Sequence, residues 1–201
     1  MLLLANKDVP ATDLKEFVAW LKANPDRASM GTPGAGSPTH LLGVLMQGET
    51  GTRFALVPHR GAGPVVQDLI AGRIQMTFVN PATALPHMRA GSIKAFAVTA
   101  KDRLTIAPDI PSVDEAGLPR FYLSLWTGLF APHGTPKQII DKLNAAAVNT
   151  LSDPAVREKV AAGGLEIPPP ERLTPEALGT LQTAEIEKWW PVIKAAGIKP
   201  E

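Results

Sequence analysis

The stretch Gly34-Ala-Gly-Ser-Pro-Thr-His-Leu41 joins a predicted strand to a predicted helix, and Val57-Pro-His-Arg-Gly-Ala-Gly63 makes the same kind of connection shortly afterwards. Glycine lets the backbone turn sharply and approach a ligand closely, because it has no Cβ. A helix that begins at such a turn presents unpaired N–H groups and the positive end of its dipole. Two turns of this kind on one sheet predict a cradle for a carboxylate or a phosphate.

Short apolar runs alternate with amphipathic stretches on either side of these two turns. The apolar runs predict strands at residues 2–5, 28–30, 54–57, 76–79 and 93–99. The amphipathic stretches predict helices after a capping box at Asp13 and at residues 38–47, 64–71 and 82–90. This alternation is typical of an α/β fold with a mainly parallel sheet and helices on both faces. Ligands bind outside the carboxyl ends of the strands in such sheets, where both turns are expected to lie.

The second half of the chain has a different character. A proline-rich connection at residues 107–119 precedes an apolar stretch at 121–130, for which a strand is predicted. A polar residue followed by proline predicts three further helix starts, at Thr135, Asp153 and Thr174. Pro191 is expected to kink or split the last helix. The shift in composition predicts an α/β domain at residues 1–120 and a helix-rich domain at 121–201.

The composition excludes several classes of protein. A formal net charge of +1 over 201 residues, without a basic stripe, argues against nucleic-acid binding. The absence of cysteine excludes a thiol nucleophile, a disulfide scaffold and thiolate metal sites. The start, Met-Leu-Leu-Leu-Ala-Asn-Lys-Asp, is too short and too soon charged for a signal peptide or a membrane span.

The histidines indicate neither a metal site nor a catalytic centre. His40, His59, His87 and His133 lie in four separate segments without the spacing that metal ligands need, so no metal is expected. Ser37 and His40 could form a nucleophile pair, yet no GxSxG elbow surrounds the serine and no carboxylate is placed to orient the histidine. We therefore favour a helix cap at Ser37, with His40 on the first helical turn, and predict no catalytic residue.

Three features leave a structural and a functional interpretation open. Gly34 and Gly36 lack the GK[ST] ending of a P-loop and a complete GxGxxG, so they could serve only as tight turns with positive φ. Asn80 follows a predicted strand and could cap the next helix or offer its amide to a ligand. Trp126 could be a core aromatic or the wall of a cleft.

An ordered series of short motifs runs along almost the whole chain. The motifs are Gly34-x-Gly-Ser-x-Thr-His-Leu41, Val57-Pro-x-x-Gly61, Phe78-x-Asn80, Ala84-Leu-Pro-His-x-x-Ala-Gly91, Ala97-Val-Thr99, Pro111-Ser-Val-x-Glu-Ala-Gly-Leu-Pro119, Trp126-x-Gly-Leu-x-Ala-Pro132, Gly134-Thr-Pro136 and Ala196-Gly-Ile-Lys-Pro200. Together they resemble the Bug-type extracytoplasmic solute receptors of the tripartite tricarboxylate transporters.

The resemblance implies a periplasmic-binding-protein-like (type II) fold of two lobes that captures a small carboxylate in the cleft between them. Residues 1–120 would supply a nearly complete second lobe, and residues 121–201 the returning part of the first lobe. Such a receptor delivers its ligand to a membrane permease, and it needs neither catalysis nor a cofactor. The ligand carboxylate is held largely by main-chain groups, small hydroxyls and water. By this resemblance, the residues expected to bind it are Gly34, Gly36, Ser37, Thr39, His40, Gly61, Ala62, Gly63, Asn80 and Trp126.

The sequence also departs from the family pattern. It starts inside that pattern, without the export signal and the first part of the first lobe. The family implies a periplasmic location, whereas the chain as written is expected to stay in the cytoplasm. A shortened lobe should expose apolar surface, so we expect self-association or partial disorder in the second half, together with weaker ligand binding. His59-Arg60 stands where family members commonly have lysine and tyrosine, which would alter ligand preference.

Two other functions stay open on the sequence alone. The same lobe could serve a ligand-sensing or interaction module that takes no part in transport. An enzyme is a further alternative, since bilobed α/β folds can host catalysis at the same cleft. The sequence argues against an enzyme, because no shared motif contains paired carboxylates, an activated nucleophile or a metal cluster.

Overall fold

A computed structural model describes residues 1–198 of the chain. Its strands are β1 (Leu2–Asn6), β2 (Ser29–Thr32), β3 (Ala55–Pro58), β4 (Met76–Val79) and β5 (Ile93–Val98). Its helices are α1 (Leu14–Ala23), α2 (Pro38–Thr50), α3 (Ala62–Ile70), α4 (Pro81–Arg89), α5 (Lys137–Ser152), α6 (Pro154–Ala162) and α7 (Pro175–Ala195), with a 3₁₀ turn at Pro170–Arg172. The last part of the motif at 196–200 lies outside the described residues.

The five strands form one sheet in the order β3-β2-β4-β1-β5. Strand β2 pairs in parallel with β3 and β4, whereas β1 pairs antiparallel with both β4 and β5. Four strands therefore run in one direction, as the mainly parallel prediction requires, and β1 alone runs the other way. All five residues of β1 are buried, so their pattern is that of an interior strand and carries no signal for direction.

Helices cover both faces of the sheet because successive strand residues point to opposite sides. On one face, Leu2 and Leu4 of β1 belong to a buried cluster with Val65 and Leu69 of α3. On the other face, Phe17 of α1 stacks on Phe96 of β5 with ring centroids 4.6 Å apart. Burying a large apolar side chain stabilises the fold by about 1.5–3 kcal/mol, so these contacts fix α1 and α3 on the sheet.

Local chemistry explains where the first helices begin. The Asp13 carboxylate accepts a hydrogen bond from Glu16 N at 2.8 Å, and the Glu16 carboxylate in turn accepts one from Thr12 N at 2.8 Å. This reciprocal arrangement satisfies two donors at the start of α1. Ser37 and Asn80 likewise cap α2 and α4, and each is followed by a proline at the first helical position. Asn80 places the start of α4 directly after β4, and Ser37 places the start of α2 after the short turn that follows β2.

The predicted strand at 121–130 is wrong. Phe121 and Leu123 are buried, and Leu123 exchanges hydrogen bonds with Thr99, from Leu123 N to Thr99 O at 3.2 Å and from Thr99 Oγ1 to Leu123 O at 2.9 Å. No strand is assigned to this segment within residues 1–198. The apolar side chains are anchored at two points, but the backbone has no neighbouring strand along its length, so no ladder forms.

Residue contacts divide the chain into two units. One unit comprises Met1–Leu125 together with the described residues from Val192 onward, and the other comprises Trp126–Pro191. In the second unit neither α5 nor α6 has a buried residue, and α7 has one, Trp189. Helix α7 continues through Pro191 and is not split. Among the described helices none combines the length and apolar character needed to cross a bilayer.

Candidate functional site

Three turns meet at one edge of the sheet. Strands β3, β2 and β4 are neighbours that run in the same direction, so their carboxyl ends lie side by side. The turns after these ends are residues 33–37, residues 59–61 and Asn80, and they lead into α2, α3 and α4. This edge is where an α/β sheet of this kind presents its ligand site.

A cavity of about 180 Å³ opens among these turns. Its lining residues come from β4 and Asn80, from the segments that follow β2 and β3, and from Met1 and Leu125: Met1, Pro33, Pro38, Thr39, Ala62, Val65, Thr77, Phe78, Val79, Asn80 and Leu125. The cavity thus brings together three of the predicted site residues, Thr39, Ala62 and Asn80. Apolar side chains make up most of its wall, which suits the carbon chain of a small ligand.

The first turn satisfies most of its own polar groups. Ser37 Oγ donates to Gly34 O at 2.8 Å and accepts from His40 N at 3.2 Å, which is the predicted helix cap. Gly36 N donates to His40 Nδ1 at 3.0 Å, so the ring proton of a neutral His40 sits on Nε2. Gly34 and Gly36 have φ values of 138° and 72°, which glycine adopts without strain. The Gly36 N–H is therefore already bound within the turn.

Thr39 connects the first turn to the end of β4. Its side chain is buried, and Oγ1 donates to Phe78 O at 3.1 Å. The Thr39 N–H lies in the first turn of α2 and has no partner among residues 1–198. The hydroxyl oxygen can still accept a hydrogen bond. Thr39 therefore offers the cavity one backbone donor while its side chain fixes that donor in place.

The second turn leaves its donors open. Gly61 has φ 102° and precedes α3, and no side chain among residues 1–198 caps this helix. The N–H groups of Ala62 and Gly63 have no partner in the described part of the chain, and Pro64 has no N–H to offer. Only Ala62 of these residues lines the cavity. The α3 N-terminus thus presents unpaired donors and the positive end of a helix dipole at the site.

Asn80 caps the next helix, which is one of the two roles that the sequence allowed for it. Its Oδ1 accepts from Thr83 N at 2.9 Å and begins α4. Its amide nitrogen has no partner among the described residues, and the residue also lines the cavity. One side chain can therefore cap the helix through its oxygen and donate to a ligand through its nitrogen.

Trp126 does not belong to this cavity. It falls in the second unit and is 38% exposed. Its assignment as a ligand-binding residue stays a prediction. The sequence analysis, for its part, did not single out Val65 or Leu125, which line the cavity. Neither could have been found from its pattern, because apolar residues of this kind are normally core residues.

The charges near the cavity are few. The lining holds no Lys, Arg or His side chain. The Met1 amino group donates to Thr99 Oγ1 at 2.8 Å, and burial lowers the pKa of this amino group to about 6. Within residues 1–198 no group of three or more His, Cys, Asp or Glu side chains is arranged to hold a metal ion. A ligand anion would therefore be held by N–H donors and helix dipoles.

Comparison with known proteins gives a consistent set of relatives. The family described as "Tripartite tricarboxylate transporter family receptor" matches residues 1–198. The "UPF0065 protein in the TAR-I ttuE-ttuC' intergenic region" of Agrobacterium vitis is 38% identical over 197 residues, which are 98% of this chain and 57% of that protein. "Protein BugT" of Bordetella pertussis is 33% identical over 199 residues, which are 99% of this chain and 60% of that protein.

Solved structures agree with this result. MatC from Rhodopseudomonas palustris with bound malate is 36% identical with a TM-score of 0.87, and the match covers 96% of this chain and 65% of MatC. An R. palustris protein with adipate is 30% identical with a TM-score of 0.87, and the match covers 100% of this chain and 66% of that one. The chain therefore spans about three fifths of the two curated relatives and about two thirds of the two solved chains.

Proposed function

Because the chain belongs to the receptor family of the tripartite tricarboxylate transporters, we propose that its cavity binds a small carboxylate for delivery to a membrane permease. The observation that carries this proposal is the uncapped N-terminus of α3, whose first residue, Ala62, lines the same cavity as Thr39. The resemblance found in the sequence is confirmed by the family match and by the Bug relative.

The chemistry of the site supports a carboxylate. Ala62 and Thr39 contribute backbone donors from two different helix N-termini, and Asn80 contributes an amide. Charge-assisted hydrogen bonds from N–H groups to a carboxylate are about twice as strong as neutral ones. Helix N-termini add favourable electrostatics without a basic side chain. The site thus supplies what one carboxylate needs, and its apolar wall suits an aliphatic chain.

Solved relatives narrow the ligand class. MatC was solved with malate and the other R. palustris protein with adipate. Both ligands are dicarboxylates with short carbon chains. By analogy with these proteins, we propose a small dicarboxylate as the ligand of this chain, bound without turnover and outside the cytoplasmic membrane. The remaining predicted residues, Gly34, Gly36, Ser37, His40, Gly61 and Gly63, would shape the two turns that hold it.

The apolar surface of the second unit supports self-association. Leu129 is 80% exposed and Phe130 is 62% exposed, and α5 presents Ile139 and Leu143 largely to solvent. Leu129 and Phe130 are adjacent in the chain, Ile139 and Leu143 lie one helical turn apart, and large exposed apolar patches are typical of interaction sites. We propose that copies of the 201-residue chain associate through this unit. Sedimentation velocity should show dimers or larger species, and a monodisperse monomer over the accessible concentration range would contradict this part of the proposal.

A ligand screen tests the binding function. Differential scanning fluorimetry of the 201-residue chain with malate and adipate should show a saturable rise in melting temperature, because a ligand that binds only the folded state stabilises it. The diamides of the same acids are the matched controls, since they keep the carbon chain but lack the charge, and they should have no effect. If dicarboxylates and diamides shift the melting temperature equally, carboxylate recognition is excluded.

A further inference from the structure

His59 is the first residue of the second turn and contacts the end of β2, the strand that leads into the first turn. Its backbone N donates to Thr32 O at 2.7 Å, and Thr32 is the last residue of β2 before the first turn. Its ring lies against Gly31, where the ring Cε1 would be 3.4 Å from an added Cβ. The same Cβ would clash with Ile74 Cδ1 and lie 2.9 Å from Val65 Cγ1, so the bare backbone of Gly31 chiefly makes room for these two side chains, and the His59 ring lies beside them.

Both nitrogens of the His59 ring are hydrogen-bonded. Nδ1 is 2.9 Å from Val57 O, and Nε2 is 3.0 Å from Asp68 Oδ2. The side chain of His59 is only 9% exposed. Both neighbours are acceptors, so the ring donates from the nitrogen that carries a hydrogen, and which one that is depends on the tautomer. The ring thus ties the end of β3 to the middle of α3, across the turn that contains Gly61.

Asp68 is itself fixed from its other side. Its Oδ1 accepts from an Arg73 guanidinium nitrogen at 2.8 Å. The Arg73 guanidinium, and after it the His59 ring, hold the pKa of Asp68 below its usual value. The carboxylate is therefore ionised at neutral pH and available as an acceptor for His59. Because Asp68 belongs to α3, its position sets the position of the helix N-terminus six residues earlier.

We propose that His59, held by Asp68, is a positioning residue that fixes the uncapped α3 N-terminus relative to the first turn. This inference rests on the proposed carboxylate binding and deepens it. Gly61 has no side chain of its own to restrict the turn, and α3 has no side-chain cap. The ring supplies the missing restraint, because it bonds to both ends of the segment, and the backbone N–H of the same residue ties the segment to β2. The donors of Ala62 and Thr39 then keep a constant spacing before a ligand arrives.

The restraint can be measured in the free protein. We would record ¹⁵N relaxation for Gly61, Ala62 and Gly63 in the wild type and in H59F, D68A and D68N. Order parameters of about 0.85 are expected in the wild type, falling below about 0.6 in H59F and D68A. D68N should stay near the wild type, because its amide oxygen accepts the same bond from Nε2. A rigid turn in H59F would overturn the proposal.

A matched control separates this effect from loss of any surface ion pair. Arg103 and Glu115 form an exposed pair with a nitrogen–oxygen distance of 2.9 Å, and neither residue lines the cavity. R103A should leave the relaxation of residues 61–63 unchanged. If R103A loosens the turn as much as H59F does, the turn responds to general destabilisation, and the positioning role of His59 is refuted.

The affinity for malate, measured in the wild type and in H59F, then tests whether the rigidity of the turn affects ligand binding. If the turn of H59F adopts its bound conformation about one tenth of the time, the apparent affinity falls about tenfold. An unchanged affinity in H59F, with a loosened turn, would refute the effect on binding. A wild type that binds no malate, adipate or related acid while H59F still loosens the turn would remove support for the carboxylate function. The positioning role would stand in that case.

Discussion

Replacing Ala62 by proline removes one donor on which the proposed carboxylate site depends. Ala62 is the first residue of α3, where helices accept proline because its fixed φ suits the helix and its N–H has no helical partner. The helix should therefore persist while the donor disappears. One hydrogen bond to a charged group contributes about 1.5–3 kcal/mol, so Kd for the dicarboxylate should rise roughly 10- to 150-fold.

Isothermal titration calorimetry measures this change directly, with the acid that gives the largest thermal shift. Gly63→Ala is the matched control: it keeps both N–H groups and places its methyl group in open space. G63A should bind with the wild-type Kd, and its melting temperature should rise because alanine favours the helix. An A62P protein that keeps its circular dichroism spectrum and binds as tightly as the wild type would refute the role of the α3 N-terminus.

Two further substitutions and a change of pH test which contacts stabilise the fold around the site. Thr39→Val conserves volume but leaves Phe78 O without its donor, so urea unfolding should show a loss of about 1–3 kcal/mol. Phe17→Ala removes the ring stacked on Phe96 and should cost about 3–5 kcal/mol in the same assay, a smaller loss meaning that the core refills. With Met1 as its first residue, the chain should gain about 2 kcal/mol of stability between pH 6 and 8, since the unfolded amine binds more protons there than the folded one; acetylation should abolish this slope.

Local chemistry made much of the fold predictable. Asp13, Ser37 and Asn80 each cap a helix through their own side chain, so a short stretch of sequence is enough to find the helix start. Strands β1 and β4 are apolar runs that are buried along their whole length. Their existence follows from composition, whereas their direction does not. The reversal of β1 depends on contacts with β4 and β5 that no local pattern records.

The strand predicted at 121–130 is wrong for the same reason that the direction of β1 was not predicted: both depend on contacts with other strands. An apolar stretch predicts burial, and Phe121 and Leu123 are buried as expected. A strand also needs a neighbour that accepts and donates along its length, and here Thr99 supplies such a contact at one residue only. Farther along, Leu129 is 80% exposed, so hydrophobicity alone did not even predict burial there. Pairing is a property of the whole sheet and is absent from the pattern of one segment.

The two glycine turns look equivalent in the sequence but differ in what they can bind. In the first turn, Ser37 and His40 satisfy the groups around Gly36, whose N–H is bound to His40 Nδ1. In the second turn no side chain plays this part, and the histidine that follows β3 points its ring toward Asp68 instead. The free donors are therefore concentrated at Ala62 and Gly63. If an anion binds at this edge, the second turn should dominate its affinity, although the first turn has the richer motif.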